Sequence, residues 1–527
     1  NIYIYIVFLF FFPQVLSAQG ASVESGKNRV QFHNEFENWL QYESTNFVGF
    51  WYGTGKNIGQ SAIMIAEDIY AEIEELTEHR INEKIEIIVY KDVTDLNQSN
   101  IGEEELLNTF DQKTLVLGKK IFVQFNGDHQ NLRSQIREGT ARVFLNSLLL
   151  GNSLQEMVQA SILLNLPDWV TDGLVKYIAD GWTSKDDSAL RELLNTDSYK
   201  DYKAFANQNP ILAGKSIWFY IDSRNKKGII PTILYLAKND RSLDSGFYDV
   251  LGMSSTKVQK DSYAYYKELY AYEAKQTDTL EGKKIELKNK KNIPITDVLI
   301  SPDGKRIAYV LNDMGRYKVI LQHMEKEEKS IILRGGQRNQ IQNTDYNYPK
   351  IAWNSSGQEL AILFEKNDII YLGQYDIFTD KFKQTEPITN QYQRVHSISY
   401  KNNYRMLLSA TINGFSDLFI YSLVDRQTTR ITNDIWDDLD AQTAELDGRK
   451  GYIFSSNRPD TLNKRKVRID SIVPEDKMDI FFLPEDGSKL IRLTNTPNTN
   501  EREAFCFDEN YFTYLSDNTG IVNRYIG

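Results

Sequence analysis

The sequence predicts a multidomain protein in which an α+β domain is followed by an all-β domain made of repeated strand units. Three observations predict it. Apolar residues recur at three- and four-residue spacing through most of the first half. Alternating strands and turns recur after Ile293 at a period of about 45 to 60 residues. A Lys-rich stretch separates the two regions.

A length of 527 residues leaves room for several domains, and 41% hydrophobic with 25% charged residues suits a folded chain with a sizeable core. The net charge of −11 argues against nucleic acid or an anionic bilayer as partner, because both attract basic surfaces. Cys506 is the single cysteine, so an intramolecular disulfide is excluded. Its setting, Ala-Phe-Cys-Phe, reads as a buried thiol rather than a nucleophile.

Residues 1–18 read as a secretory signal peptide, an apolar run broken at Pro13 and closed by Ser17-Ala18. The first residue is not Met, so the natural chain is expected to begin earlier. The apolar run is shorter than the ~20 residues that span a bilayer, and no Cys follows Ala18 for lipid attachment. The protein is therefore expected to be exported, to the periplasm, the outer membrane or the cell surface, without being an integral membrane protein. Residues 24–276 read as the α+β domain, with helices over Ser61 to His79, Leu132 to Leu150, Trp169 to Trp182 and Ser216 to Asp222, and strands over Lys84 to Tyr90 and Lys120 to Phe125. Residues 277–292 read as a charged linker.

From 293 to 527 the repeats superimpose. Val298-Leu-Ile-Ser-Pro-Asp-Gly-Lys-Arg-Ile-Ala-Tyr-Val310 aligns with segments beginning at Ile351, Ile398, Ala444 and Ala504, each a strand, a tight turn and a second strand. Asp303-Gly304, Ser356-Gly357 and Asp447-Gly448 supply the φ > 0 residue of a two-residue hairpin, with Asn403 and Asn510 in the same role elsewhere. Four strands per repeat predict the blades of a β-propeller. About four and a half blades are legible, and the last strand stops at Gly527, so the sequence is expected to be a piece of a longer protein.

Ser301-Pro302-Asp303-Gly304 with Ile307-Ala308-Tyr309, Ser455-Ser456-Asn457-Arg458, Arg430-Ile431-Thr432 and Arg492-Leu493-Thr494 resemble the repeat of TolB-type, WD40-like propellers. That resemblance implies a binding platform with two faces of loops.

In the first half, Leu132-Arg-Ser-Gln-Ile-Arg-Glu-Gly-Thr-Ala-Arg-Val-Phe144 precedes Leu166-Pro-Asp-Trp-Val-Thr-Asp-Gly-Leu-Val-Lys-Tyr177. The pair resembles the peptidase MA-like (gluzincin) domain, in which His-Glu-x-x-His and a later Trp-x-x-Glu-Gly-x-Ala-Glu-Tyr hold Zn²⁺. The resemblance places Arg137 and Ala141 at the two His positions, Glu138 at the general base and Asp172 at the third ligand. Arg137 offers no lone pair, and Ala141 offers no donor. The five His of the chain include no pair at helical ligand spacing, so no shift of register restores the motif. The implied domain is a pseudopeptidase, with no catalytic residue, no metal and no cofactor.

Gly53-Thr-Gly-Lys-Asn-Ile-Gly59 is one residue too long for a dinucleotide fingerprint, and Gly214-Lys215-Ser216 lacks the first Gly of a P-loop. Asn463-Lys-Arg-Lys-Val-Arg468 reads as a solvated basic loop, and Asp434-Ile-Trp-Asp-Asp-Leu-Asp440 as an acidic strand-end turn. The expected function is a non-catalytic binding or scaffold protein of the cell envelope, partnered by other proteins in an outer-membrane or periplasmic transport or assembly complex. The alternative is an exported hydrolase or peptidase whose catalytic groups lie elsewhere or beyond residue 527.

Overall fold

The computed structural model describes residues 31–99, 113–151, 166–196, 199–275, 285–287, 289, 293–326, 328–338, 344–388, 391–459, 461 and 477–527. The signal-peptide segment, most of the linker and the basic insertion at 463–468 lie outside the described residues.

The N-terminal domain is built on a mixed sheet of β1 (Trp39–Glu43), β2 (Phe47–Tyr52), β3 (Ile85–Tyr90), β4 (Leu115–Leu117) and β5 (Lys120–Gln124), in the order β1-β2-β3-β5-β4. The three central strands run parallel, and the two edge strands are antiparallel to their neighbours. A parallel pair needs a crossover, which α1 (Lys56–Thr77) supplies between β2 and β3, burying Ile58, Ile65, Ile69 and Ile73 from one face. After β3, Asp92 caps the short helix α2 (Val93–Gln98) by accepting from the Asp95 amide at 2.8 Å. Helix α3 (His129–Leu150) starts at Asp128, whose carboxylate accepts from the amides of Gln130 and Asn131.

A layer of helices follows: α4 (Asp168–Asp180), α5 (Ser184–Asn195), α6 (Tyr202–Gln208), α7 (Pro210–Asp222), α8 (Ile229–Asp240), α9 (Leu243–Leu251) and α10 (Ser255–Glu273). Helices α4 and α7 touch backbone to backbone at Gly173 and Gly214. A Cβ on Gly173 would lie 2.4 Å from the Gly214 Cα, and one on Gly214 would lie 1.9 Å from the Trp169 carbonyl oxygen. Gly214 of the Gly-Lys-Ser run is therefore a packing residue, and its neighbour Lys215 is buried in an ion pair with Asp186 at 2.5 Å.

The remaining strands form a five-blade β-propeller. Blade 1 holds β6 (Ile295–Ile300), β7 (Arg306–Asp313), β8 (Arg316–His323) and β9 (Lys329–Gly335). Blade 2 holds β10 (Lys350–Trp353), β11 (Glu359–Lys366), β12 (Ile369–Asp376) and β13 (Lys381–Pro387). Blade 3 holds β14 (Arg394–Asn402), β15 (Arg405–Ile412), β16 (Phe415–Ser422) and β17 (Thr428–Arg430). Blade 4 holds β18 (Asp438–Leu446), β19 (Arg449–Ser456), β20 (Asp479–Pro484) and β21 (Ile491–Arg492), and blade 5 holds β22 (Glu501–Cys506), β23 (Phe512–Ser516) and β24 (Asn523–Ile526). Each blade is an antiparallel meander, and the first strands of successive blades adjoin one another along the propeller axis. Apolar clusters fill the space between neighbouring blades.

The turns depart from the two-residue hairpin in most blades. Asp447-Gly448 is such a turn, with both residues left-handed at φ 53° and 69°. Gly304 and Gly357 are left-handed at φ 68° and 67°, but they close longer loops in which the Gly amide bonds the Ser301 or Asn354 carbonyl. The side chains of Ser301 and Asn354 hold these loops through the amides of Arg306 and Glu359. In blades 3 and 5, Asn402 and Asp508 accept from the amides of Tyr404 and Asn510, so a side-chain bond does the work expected of a left-handed residue.

The repeated Arg-Ile-Thr and Arg-Leu-Thr runs have one physical role. Arg430 bonds Asp417 while Thr432 Oγ1 accepts the Leu418 amide at 2.9 Å. Arg492 bonds Asp479 while Thr494 Oγ1 accepts the Ile480 amide at 2.8 Å. Each run ties the outer strand of its blade to the strand before it.

Candidate functional site

The residues singled out in the first half lie on α3 and α4, which pack side by side. Glu138 is 1% exposed. Its Oε2 accepts from Thr114 Oγ1 at 2.9 Å and lies 2.8 Å from Lys176 Nζ, while Arg142 Nη2 stands 3.8 Å from its Oε1. Asp172 accepts from Lys113 Nζ at 2.6 Å and from Arg142 Nη1 at 2.7 Å. Burial works against the Asp172 charge, but Arg142 and Lys113 together hold its pKa below the usual carboxylate value. Lys113 and Thr114 lead directly into the edge strand β4, so this one cluster ties sheet edge, α3 and α4 together.

The structure brings Glu138 and Asp172 together through the shared cation Arg142, and leaves Arg137 and Ala141 elsewhere. Arg137 donates Nε to the Ile178 carbonyl at 2.8 Å and both terminal nitrogens to Glu72 at 2.5 and 2.6 Å. It lines a cavity of about 950 Å³ with Glu72, Tyr177, Asp180 and Asp222. Ala141 is fully buried in the main core. A helix turns about 100° per residue, so the face that meets Asp172 belongs to Glu138 and Arg142, one step round from the face of Arg137 and Ala141. Lys113, Arg142 and Lys176 were not foreseen. The spacings Glu138 to Arg142 and Asp172 to Lys176, each four residues on a helix, were the signal available for two of them.

This donor set does not fit Zn²⁺. The two carboxylates face three cationic side chains, and the cluster contains no imidazole or thiolate. A divalent ion placed there would meet three positive charges, and Glu138 Oε2 is already engaged by Thr114 and Lys176.

A second concentration of buried charge lies where the two domains meet. The start of α3 enters the propeller beside the inner strands. The His129 amide donates to Asp437 Oδ2 at 2.8 Å, and His129 Nδ1 pairs with Asp437 Oδ1 at 2.7 Å. Burial opposes charge on His129, but Asp437 beside it raises its pKa. Ser416 Oγ donates to the Gly127 carbonyl at 2.7 Å, and Arg502 lies 3.4 Å from Asp128. The acidic turn at 434–440 is thus part of the domain junction. Behind it, fully buried Arg458 grips Asp438 with bonds of 2.5 and 2.6 Å and stands 3.4 Å from Asp434. The ligand-bearing atoms of Asp417, Asp434 and Asp438 lie within 4.8 Å of one another, but Arg458 and Arg430 are cations that already serve this group.

The fold and its sites define a class: an α+β domain with a cation-filled centre, docked on one end of a five-blade β-propeller. No protein-family model and no curated protein matches the sequence. Among solved structures, TolB from Acinetobacter baumannii is similar at 14% identity and a TM-score of 0.31, over 45% of this chain and 55% of that one. The β-propeller domain of the trilobed protease from Pyrococcus furiosus is similar at 15% identity and a TM-score of 0.32, over 44% of this chain and 66% of that one. The acylaminoacyl peptidase of Pyrococcus horikoshii is similar at 12% identity and a TM-score of 0.31, over 44% and 37%. The chain thus spans about half the length of the TolB structure that it matches. No described helix is long and apolar enough to cross a membrane.

Proposed function

We propose that the chain is a non-catalytic binding protein of the cell envelope, a subunit of a periplasmic or outer-membrane transport or assembly complex whose partners are other proteins. The observation that carries this reading is the centre of the N-terminal domain. Where the peptidase resemblance calls for a general base and a carboxylate ligand, three cations close on Glu138 and Asp172, and the two positions that call for His hold Arg137 and Ala141. That arrangement holds three elements together and commits Glu138 Oε2 and both oxygens of Asp172 to cations.

The shape of the propeller supports a docking role. The N-terminal domain occupies the end where the inner strands begin, through Asp437 and Arg502, and reaches the turns after β11 and β15 through Glu365 and Asn413. The turns at the opposite end carry Phe378, Val424 and Tyr404 at 94%, 73% and 66% exposure. Exposed aromatic and aliphatic side chains at loop tips are the surface that a protein partner buries.

Affinity capture with the whole chain from envelope membranes tests the proposal. Stoichiometric recovery of envelope proteins, reduced when Phe378 and Tyr404 are both replaced by Ser, is the expected result. A monomeric chain that recovers no partner and cleaves peptides would overturn it.

A further inference from the structure

Where α2 meets the β11–β12 turn, four carboxylates from two domains come together. Asp92 and Asp95 belong to the cap and first turn of α2, Glu365 lies near the end of β11 and Asp368 in the β11–β12 turn of blade 2. Asn367 and Asp368 are both left-handed, at φ 53° and 63°, which folds this turn back on itself. Thr94 Oγ1 donates to Glu365 Oε1 at 2.7 Å, and Gln98 Nε2 donates to Asp368 Oδ2 at 3.4 Å. His33 Nε2 lies 2.7 Å from Asp95 Oδ1 and 3.4 Å from Asp368 Oδ2.

The other groups facing the cluster are Lys91 and Tyr52 from the N-terminal domain, and Asp345, Arg394, Tyr317 and Tyr348 from the propeller. The cations among them are already engaged, Lys91 by Glu35 and Arg394 by a two-pronged bond to Asp345 at 2.7 and 2.9 Å. A metal ion is a poor neutraliser here. The Glu35 amide donates to His33 Nδ1 at 3.1 Å, so the proton of a neutral His33 sits on Nε2, the atom a metal would need. Protons are the remaining way to relieve the repulsion among these carboxylates.

We propose that this cluster is a proton-dependent latch between the two domains, closed when Asp92 at the start of α2 and Glu365 and Asp368 at the blade 2 turn hold protons and loosened when they lose them. Burial, with Asp345 and Asp368 adding, raises Glu365 to about 7. Burial, with Asp95 adding, raises Asp368 to about 6. Burial raises Asp92 as well, with Asp95 and Glu365 adding, and the bond to Asp95 raises His33. All four groups hold their protons more tightly in the closed contact than in water, so protonation favours closure. Their contribution is full in acid and is lost as the pH rises through about 6 to 7.

Amide exchange of the whole chain, corrected for its intrinsic pH dependence, reads the latch. Between about pH 5.5 and about pH 8, protection of the α2 amides should fall at least about tenfold while that of α1 is unchanged. Glu365→Gln with Asp368→Asn keeps the shape and removes the charge, so α2 should stay protected across the range. Glu365→Gln alone, the milder change, should shrink the fall. Equal α2 protection at both pH values in the natural chain, an equal loss in α1, or an undiminished fall in either variant would overturn the latch.

Discussion

Glu138→Ala destabilises the N-terminal domain by about 3 to 5 kcal/mol, the range for removing one member of a buried ion pair. The magnitude follows from what remains. Lys176 Nζ loses its 2.8 Å partner, and the Thr114 hydroxyl loses its acceptor, around a carboxylate that is itself 1% exposed. Chemical denaturation followed by Trp fluorescence checks this, because Trp169 and Trp218 lie buried in the same core. Pairing Glu138→Ala with Lys176→Met should recover part of the loss, since the 2.8 Å pair is then removed from both sides. Arg137→Ala should cost only about 0 to 1 kcal/mol, because its partner Glu72 is half exposed and the pair is screened. Equal losses for Glu138 and Arg137 would refute the assignment of the cluster.

Arg458→Met destabilises the propeller by a similar ~3 to 5 kcal/mol. Arg458 has no exposed side-chain surface, holds Asp438 with two bonds and packs against the rings of Trp436, Phe454 and Phe481 at 5.6 to 5.8 Å. Met fills much of the volume but takes away the cation that bonds Asp438 and stands 3.4 Å from Asp434. The loss should therefore shrink in mild acid, where Asp434 protonates. Burial, with Asp438 adding, already lifts Asp434 to about 7 with Arg458 in place. Thermal unfolding of the variant at about pH 5 and about pH 8 reads this difference, and a loss of equal size at both would refute the role given to Arg458.

The blades were legible in the sequence because strand alternation and turn residues act over a few positions, and repetition let one unit support the next. The helices over Ser61 to His79 and Leu132 to Leu150 were legible for the same reason, and they fall on α1 and α3. What could not be read was pairing across distance. Lys113 and Asp172 are 59 residues apart, and His129 and Asp437 are 308 apart. Neither pair leaves a mark on local spacing. The motif alignment drew attention to Arg137 and Ala141, while the side chains that meet Asp172 belong to the adjacent helical face, a difference of one residue that no pattern of apolar positions settles. The domain junction, with its carboxylates gathered from α2 and from blade 2, was equally invisible, since each acidic residue taken alone reads as a solvated turn.

The central claim is that the centre of the N-terminal domain is held by cations and not by a metal. Calorimetric titration of the whole chain with Zn²⁺, followed by elemental analysis after desalting, tests it most directly. The expected result is no retained zinc above that of an Asp172→Ala chain. One zinc per chain, held tightly and lost with Asp172→Ala, would contradict the account.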